Sequence, residues 1–361
     1  MIRIKARAPT GRAVVLPTLW GALAVGYKLG CPLAQQDGIG ARIVTSAVFF
    51  AVGTGLICRV RRALLRELRF ARRAARAAQN VVLRPLPPRL DGIDVAAAQL
   101  SADRGASVGG DLYEAIATEH GVRVVMGDVR GHGLAALGTV AALLGSFREA
   151  VHDEPELDRV LRRLDRALAR HLRERARAEH PANGPADLDN PVAEEFVTVL
   201  LLEIARDGEL RVLNCGHPWP YMLRDTRVEQ LTRGEPLPPL GPFPLPAELE
   251  ADRCGRLLPG ESLVLFTDGV EDARDARGRF FSLARSLTEA VRKHPVTPQA
   301  VLRTVFTALL DHTGGTPDDD VALLVLCNGR GRRPGARGED VGGSAARGCQ
   351  APTHPQPTTH R

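Results

Sequence analysis

Two kinds of apolar run recur along this chain: short β-branched blocks that stop at glycine and aspartate, and longer stretches with helical spacing. The first kind is clearest at 122–134, VRVVMGDVRGHGL, which breaks at Gly127-Asp128 and again at Gly131-His132-Gly133. A strand ending in a glycine-flanked carboxylate delivers that carboxylate to the rim of a sheet, where glycine admits close approach. Three more acidic turns share this character: Gly109-Gly110-Asp111 at the start of a predicted strand, Phe266-Thr267-Asp268-Gly269 after the strand 262–267, and Asp318-Asp319-Asp320 before the run 321–326. The block 196–204, FVTVLLLEI, is almost continuously apolar, as a sheet buried on both faces requires, and Asp207-Gly208 turns it into a second strand over 209–214. Ile93–Leu100 reads as the first strand of the domain, and helical periodicity predicts helices over 134–152, 157–177 and 299–312. Residues 180–195, with Pro181, Gly184, Pro185 and Pro191, predict a loop.

The N-terminal pattern differs. Ala13–Leu29 and Ile43–Cys58 are apolar runs near the lower length for a membrane span, with Trp20 and Tyr27 as amphipathic rings and Lys28 placed to snorkel. Arg3, Lys5, Arg7 and Arg12 precede the pair, and Arg59, Arg61, Arg62 and Arg66 follow it. By the positive-inside rule both ends are cytoplasmic, which predicts a two-helix hairpin anchor over residues 1–59 and a multi-pass cell-membrane protein whose following domain lies in the cytoplasm. The competing readings are a secretory signal, against which stands the want of an A-x-A site, and two short buried helices. An arginine-rich linker helix is predicted over 60–83, either as a solvated connector touching anionic headgroups or as a signalling or homodimer-forming helix. Leu83–Leu90, LRPLPPRL, is a stiff boundary before the domain at 84–327. Residues 328–361 are rich in Gly, Arg, Pro, Ser and Thr, which predicts a disordered tail.

Charge sharpens this division. The first 80 residues carry +12 and residues 328–361 carry +4, so the overall +6 leaves −10 for residues 81–327. The basic pI of about 9.3 therefore belongs to the ends, and with only 4% aromatic residues the core is a poor nucleic-acid binder. Six cysteines without a C-x-x-C pair fit reduced thiols better than a disulfide framework or zinc site. Asp128 and Asp268 follow their strands while Asp319 precedes its own, so antiparallel pairing brings them to one edge. Such an all-oxygen set favours a hard cation, Mg²⁺ or Mn²⁺. The lone His217, in Asn214-Cys215-Gly216-His217-Pro218, reads first as a structural histidine.

Read together, GGDLYE, GDVRGHG, FVTVLLLEI, LNCGHPWPYML, LPGESLVLFTDGVEDA and DDDVALLVL resemble, in order and spacing, the metal-dependent PPM-type protein phosphatases. They are most similar to the bacterial SpoIIE-like branch, related to protein phosphatase 2C. The resemblance covers residues 84–327 and implies an α+β fold, two antiparallel sheets in a sandwich flanked by helices, with two Mn²⁺ or Mg²⁺ ions at one end. It implies that Asp128 bridges the ions, that the Val129 carbonyl binds one, and that Asp268, Asp319 and Asp111 complete the set. His132 is implied as proton donor to the leaving group. Glu114, Arg130, Cys215 and Ala322 depart from the usual residues at their positions, and Arg130 beside the site is suited to holding phosphate or altering substrate choice. The phosphate-gripping arginine of the eukaryotic relatives has no clear counterpart.

The implied reaction is direct attack of a metal-bridging hydroxide on phosphoserine or phosphothreonine, with no phosphoenzyme. The implied substrate is a phosphorylated regulatory protein of the anti-sigma-factor antagonist type. A catalytically silent, membrane-tethered phosphoprotein scaffold is the alternative, against which the complete set of acids argues.

Overall fold

The structure is a computed structural model that describes residues 39–100, 109–131, 133–179, 195–231, 234–292, 296–315, 317 and 319–330. It opens with a 44-residue helix, α1 (Ile39–Val82). The strands follow as β1 (Arg89–Leu90), β2 (Ile93–Leu100), β3 (Asp111–Thr118) and β4 (Gly121–Val129), then the helices α2 (Leu134–Asp153) and α3 (Leu157–Glu179). Next come β5 (Val197–Ile204), β6 (Glu209–Cys215), β7 (Tyr221–Arg224), β8 (Arg227–Gln230), β9 (Asp252–Arg256) and β10 (Ser262–Phe266). Helices α4 (Leu283–Arg292) and α5 (Pro298–Thr313) lead into β11 (Val321–Asn328).

The strands form two antiparallel sheets, in the orders β1-β2-β11-β10-β7-β8 and β3-β4-β5-β6-β9. Period-2 alternation sorts each central strand between two cores. Val122, Val124 and Met126 of β4, Leu200 and Leu202 of β5, and Leu324 and Leu326 of β11 meet between the sheets. On the other face of the five-stranded sheet, Val125, Val199 and Leu201 pack on Leu143, Phe147, Leu161 and Leu164 of α2 and α3. Val264, Phe266, Leu323 and Val325 of the six-stranded sheet pack on Leu287, Val291, Val301 and Val305 of α4 and α5. The expected α+β sandwich flanked by helices is thus the architecture, with strands buried on both faces where the sequence is continuously apolar.

Local chemistry sets the element ends. Thr297 Oγ1 accepts the Ala300 N–H at 3.2 Å ahead of Pro298, and Gly314 closes α5 with φ 68°. Arg123, fully buried on β4, pairs with Glu203 of β5 at 2.8 Å and donates to the Val151 carbonyl at 3.0 Å, tying the end of α2 to the sheet. Arg148 of α2 grips Glu114 of β3 and also donates to the Val82 carbonyl at 2.7 Å, closing the last turn of α1 against the domain. The four cysteines among the described residues, Cys58, Cys215, Cys254 and Cys327, are free thiols.

The N-terminal expectation changes. Run 13–29 lies outside the described residues, so the two-helix membrane hairpin is not supported. Run 43–58 and the arginine-rich stretch are one continuous helix rather than two, because no proline interrupts a sequence of good helix formers across Cys58–Arg62. Among the described residues, one helix, α2, is long and apolar enough to cross a membrane, and half of it is buried as a core helix. The predicted tail from 331 onward and the loop over 180–194 also lie outside the described residues.

Candidate metal centre

The inward-facing positions of β3, β4 and β5 change character at one edge of the sandwich, where Met126 and Leu200 give way to Asp128 and Thr198. Asp111 and Asp128 are paired in register across β3 and β4, and Asp128 is paired with Thr198 across β4 and β5. From the opposing sheet, Asp268 follows the end of β10 and Asp319 and Asp320 precede β11, two strands that run antiparallel side by side. The predicted convergence of Asp111, Asp128, Asp268 and Asp319 on one edge is therefore present. His132 lies outside the described residues.

Glycines make this approach possible. A Cβ on Gly110 would lie 2.2 Å from the Val129 carbonyl oxygen and 2.8 Å from Asp128 Oδ1. A Cβ on Gly109 would lie 2.5 Å from Asp320 Oδ2, and one on Gly269 would lie 2.0 Å from the Asp320 carbonyl. At Gly110 and Gly269 only bare backbone fits, and at Gly109 a side chain would displace the Asp320 carboxylate. Thr267, immediately before Asp268, accepts the Ala322 N–H at 2.9 Å and donates to Asp111 Oδ2 at 3.3 Å, so one hydroxyl links the ends of β10, β11 and β3.

The electrostatics follow from the crowding. Burial, then the charges of Asp128, Asp320, Asp268 and Asp319, hold the Asp111 carboxyl well above the usual carboxylate range. Burial, then Asp268, Asp319 and Asp320, push Asp128 up to about 7. Asp268 is likewise raised, by burial and by Asp319. Among the described residues no three acidic, His or Cys side chains close on a single point as a finished ion cage would. Like charges in a poorly solvated edge push one another apart. Oxygen donors crowded enough to hold Asp111, Asp128 and Asp268 above the usual carboxylate range, over glycines that leave room, fit hard divalent cations.

Asp320, Thr198 and Thr267 belong to the site but were not among the expected site residues. Thr198 is the one hydroxyl in an otherwise apolar run, and Thr267 precedes a predicted acid, so each carried a faint signal. Arg130 sits exposed at the rim, its N–H donating to the Phe196 carbonyl at 3.0 Å and its guanidinium 5.3 Å from the Phe196 ring centroid.

A family profile described as Stage II sporulation protein E (SpoIIE) matches residues 118–328, more than half of the chain. The chain belongs to the SpoIIE family. Its domain is of the protein phosphatase 2C type, a serine/threonine phosphatase domain of the PPM class. The RsbU and RsbW domains of Rv1364c from Mycobacterium tuberculosis share the fold at 22% identity and TM-score 0.50, over 65% of this chain and 60% of that one. The SiaA-PP2C domain of Pseudomonas aeruginosa aligns at 18% identity and TM-score 0.49, over 74% of this chain and 98% of that one. The PP2C phosphatase domain of SpoIIE from Bacillus subtilis, with a fragment of its regulatory domain, aligns at 14% identity and TM-score 0.48, over 65% and 62%.

Proposed function

We propose that this SpoIIE-family domain hydrolyses phosphoserine or phosphothreonine on a regulatory protein of the anti-sigma-factor antagonist type. The observation that carries the reading is the convergence of Asp111, Asp128, Asp268 and Asp319 from two sheets onto one glycine-lined edge. In this reading Asp111, Asp128, Asp268, Asp319 and the Val129 carbonyl hold two Mn²⁺ or Mg²⁺ ions. Bound there, the cations neutralise the carboxylates, bind phosphoryl oxygens and acidify water. Without them the edge would repel a phosphate.

The chain's own residues do the rest. Asp128, paired with Asp111 and held by Thr198, fixes the donor set at the edge. Water attacks phosphorus directly, with no phosphoenzyme, and His132 supplies a proton to the leaving oxygen. Arg130, steadied over Phe196, offers the phosphoryl group a cation at the rim. The exposed Ile43, Val48, Phe50, Val52 and Ile57 on α1 support membrane attachment through residues 1–59, with the domain on the cytoplasmic side.

The similar Rv1364c structure carries an RsbU domain beside an RsbW domain, which supports a regulatory-protein substrate. The test is release of phosphate from a serine-phosphorylated anti-sigma-factor antagonist by the full-length chain with Mn²⁺. Release that stops on adding EDTA is expected. Tight binding without release, with or without metal, would contradict the reading and favour a scaffold.

A further inference from the structure

His217 lies where the chain crosses from β6 in one sheet to β7 in the other, and only 3% of it is exposed. Its backbone is clamped, the N–H donating to Asn214 Oδ1 and the carbonyl accepting from Asn214 Nδ2, both at 2.8 Å. Its ring Nδ1 lies 3.0 Å from Thr198 Oγ1, and that oxygen accepts the backbone N–H of Asp128 at 3.2 Å. Nε2 is buried with no hydrogen bond of proper geometry, although the Phe266 carbonyl lies near the ring.

Burial drives the ring's pKa down to about 3, so it is neutral at physiological pH. A neutral imidazole carries one N–H, and the partners assign its place. With Nδ1 against the Thr198 hydroxyl and the Phe266 carbonyl beside the ring, we place the proton on Nε2, so that Nδ1 accepts from Thr198. The result is a directed chain from Asp128 N–H to Thr198 O–H to His217, ending against the last residue of β10. That residue stands two before Asp268. The chain therefore spans from the Asp128 end of one sheet to the Asp268 end of the other, and neither end is bridged by any sheet ladder.

We propose that Thr198 and His217 form a positioning strut that sets the spacing between the Asp128 and Asp268 strand ends, and with it the affinity of this edge for divalent cations. The inference rests on the metal-binding reading above. Neither residue is among those that hold the ions in that reading. A histidine that served the fold alone would alter stability and leave cation affinity unchanged.

The test is calorimetric Mn²⁺ titration of the full-length protein, with thermal unfolding in EDTA measured alongside. Thr198→Val keeps shape and removes the hydroxyl, and is expected to weaken Mn²⁺ binding about tenfold, as loss of a group that orients a ligand does. Thr198→Ser restores the hydroxyl and is expected to bind as the wild type does. His217→Phe cuts the strut at its other end and keeps the assay decisive should Thr198→Val not fold. The double variant is expected to bind no more weakly than either single one, because both remove one device. Wild-type Mn²⁺ affinity in Thr198→Val or His217→Phe, whatever the unfolding temperature, would overturn the strut. Asp128→Asn separates the two claims: if it too binds Mn²⁺ normally, the metal reading fails, and if it alone loses binding, only the strut fails.

Discussion

Asp111 and Asp128 stand directly opposite each other across β3 and β4, two acids paired where a sheet tolerates like charges least. The arrangement costs stability unless a proton or a cation lies between them.

The metal-free protein is expected to be more stable in mild acid. Asp128, raised from 3.8 to about 7 chiefly by burial, binds more protons folded than unfolded between those values. Stability therefore falls as pH rises through that window and levels off above it. Chelator-treated protein is expected to unfold at a higher temperature at pH 6 than at pH 8, and Asp128→Asn to flatten the difference. An unfolding temperature that climbs from pH 6 to 8 would refute the assignment.

Gly110→Ala tests the glycine edge. The added methyl would sit 2.2 Å from the Val129 carbonyl oxygen, so that carbonyl or the Asp128 carboxylate must shift. Loss of Mn²⁺ binding is expected while far-ultraviolet circular dichroism keeps the native spectrum. Unchanged Mn²⁺ affinity would show that this carbonyl takes no part.

Arg123 answers for stability alone. It is wholly buried with Glu203, and removing it leaves that carboxylate to the more distant Arg211 at 3.5 Å. Breaking a buried pair from one side costs about 3–5 kcal/mol. Urea unfolding of Arg123→Met is expected to show a loss of that order, and a loss below about 1 kcal/mol would mean the pair is dispensable.

Arg148 joins α1 to the sheet by holding Glu114 and the Val82 carbonyl together. Arg148→Ala is expected to speed amide hydrogen exchange in the last turn of α1 relative to that in α2. Equal exchange in both proteins would show that the contact does not hold the helix end.

Much of this design is legible in the residues. β4, β10 and β11 are strong apolar runs, and the acids at their ends mark the edge in the sequence itself. β7 and β8 escape because each has only four residues, and β9 because it is a short, mostly exposed edge strand. Helix α4 spans only ten residues, too few for a firm periodic signal. The roles of Thr198, Thr267 and His217 are invisible because they depend on contacts between segments far apart in the chain, such as Thr267 with Asp111. The continuity of α1 was masked by its change from apolar to arginine-rich composition, which reads as a boundary although the backbone meets no obstacle there.

The proposed activity is metal-dependent phosphoester hydrolysis at the Asp111–Asp128 edge. Its most direct test is turnover of an aryl phosphate by the full-length protein, with Mn²⁺ and with EDTA, beside Asp128→Asn and Asp268→Asn. Turnover that needs Mn²⁺ and falls to background in both variants is the expected result. Turnover that persists in EDTA, or that survives in Asp128→Asn, would contradict the account.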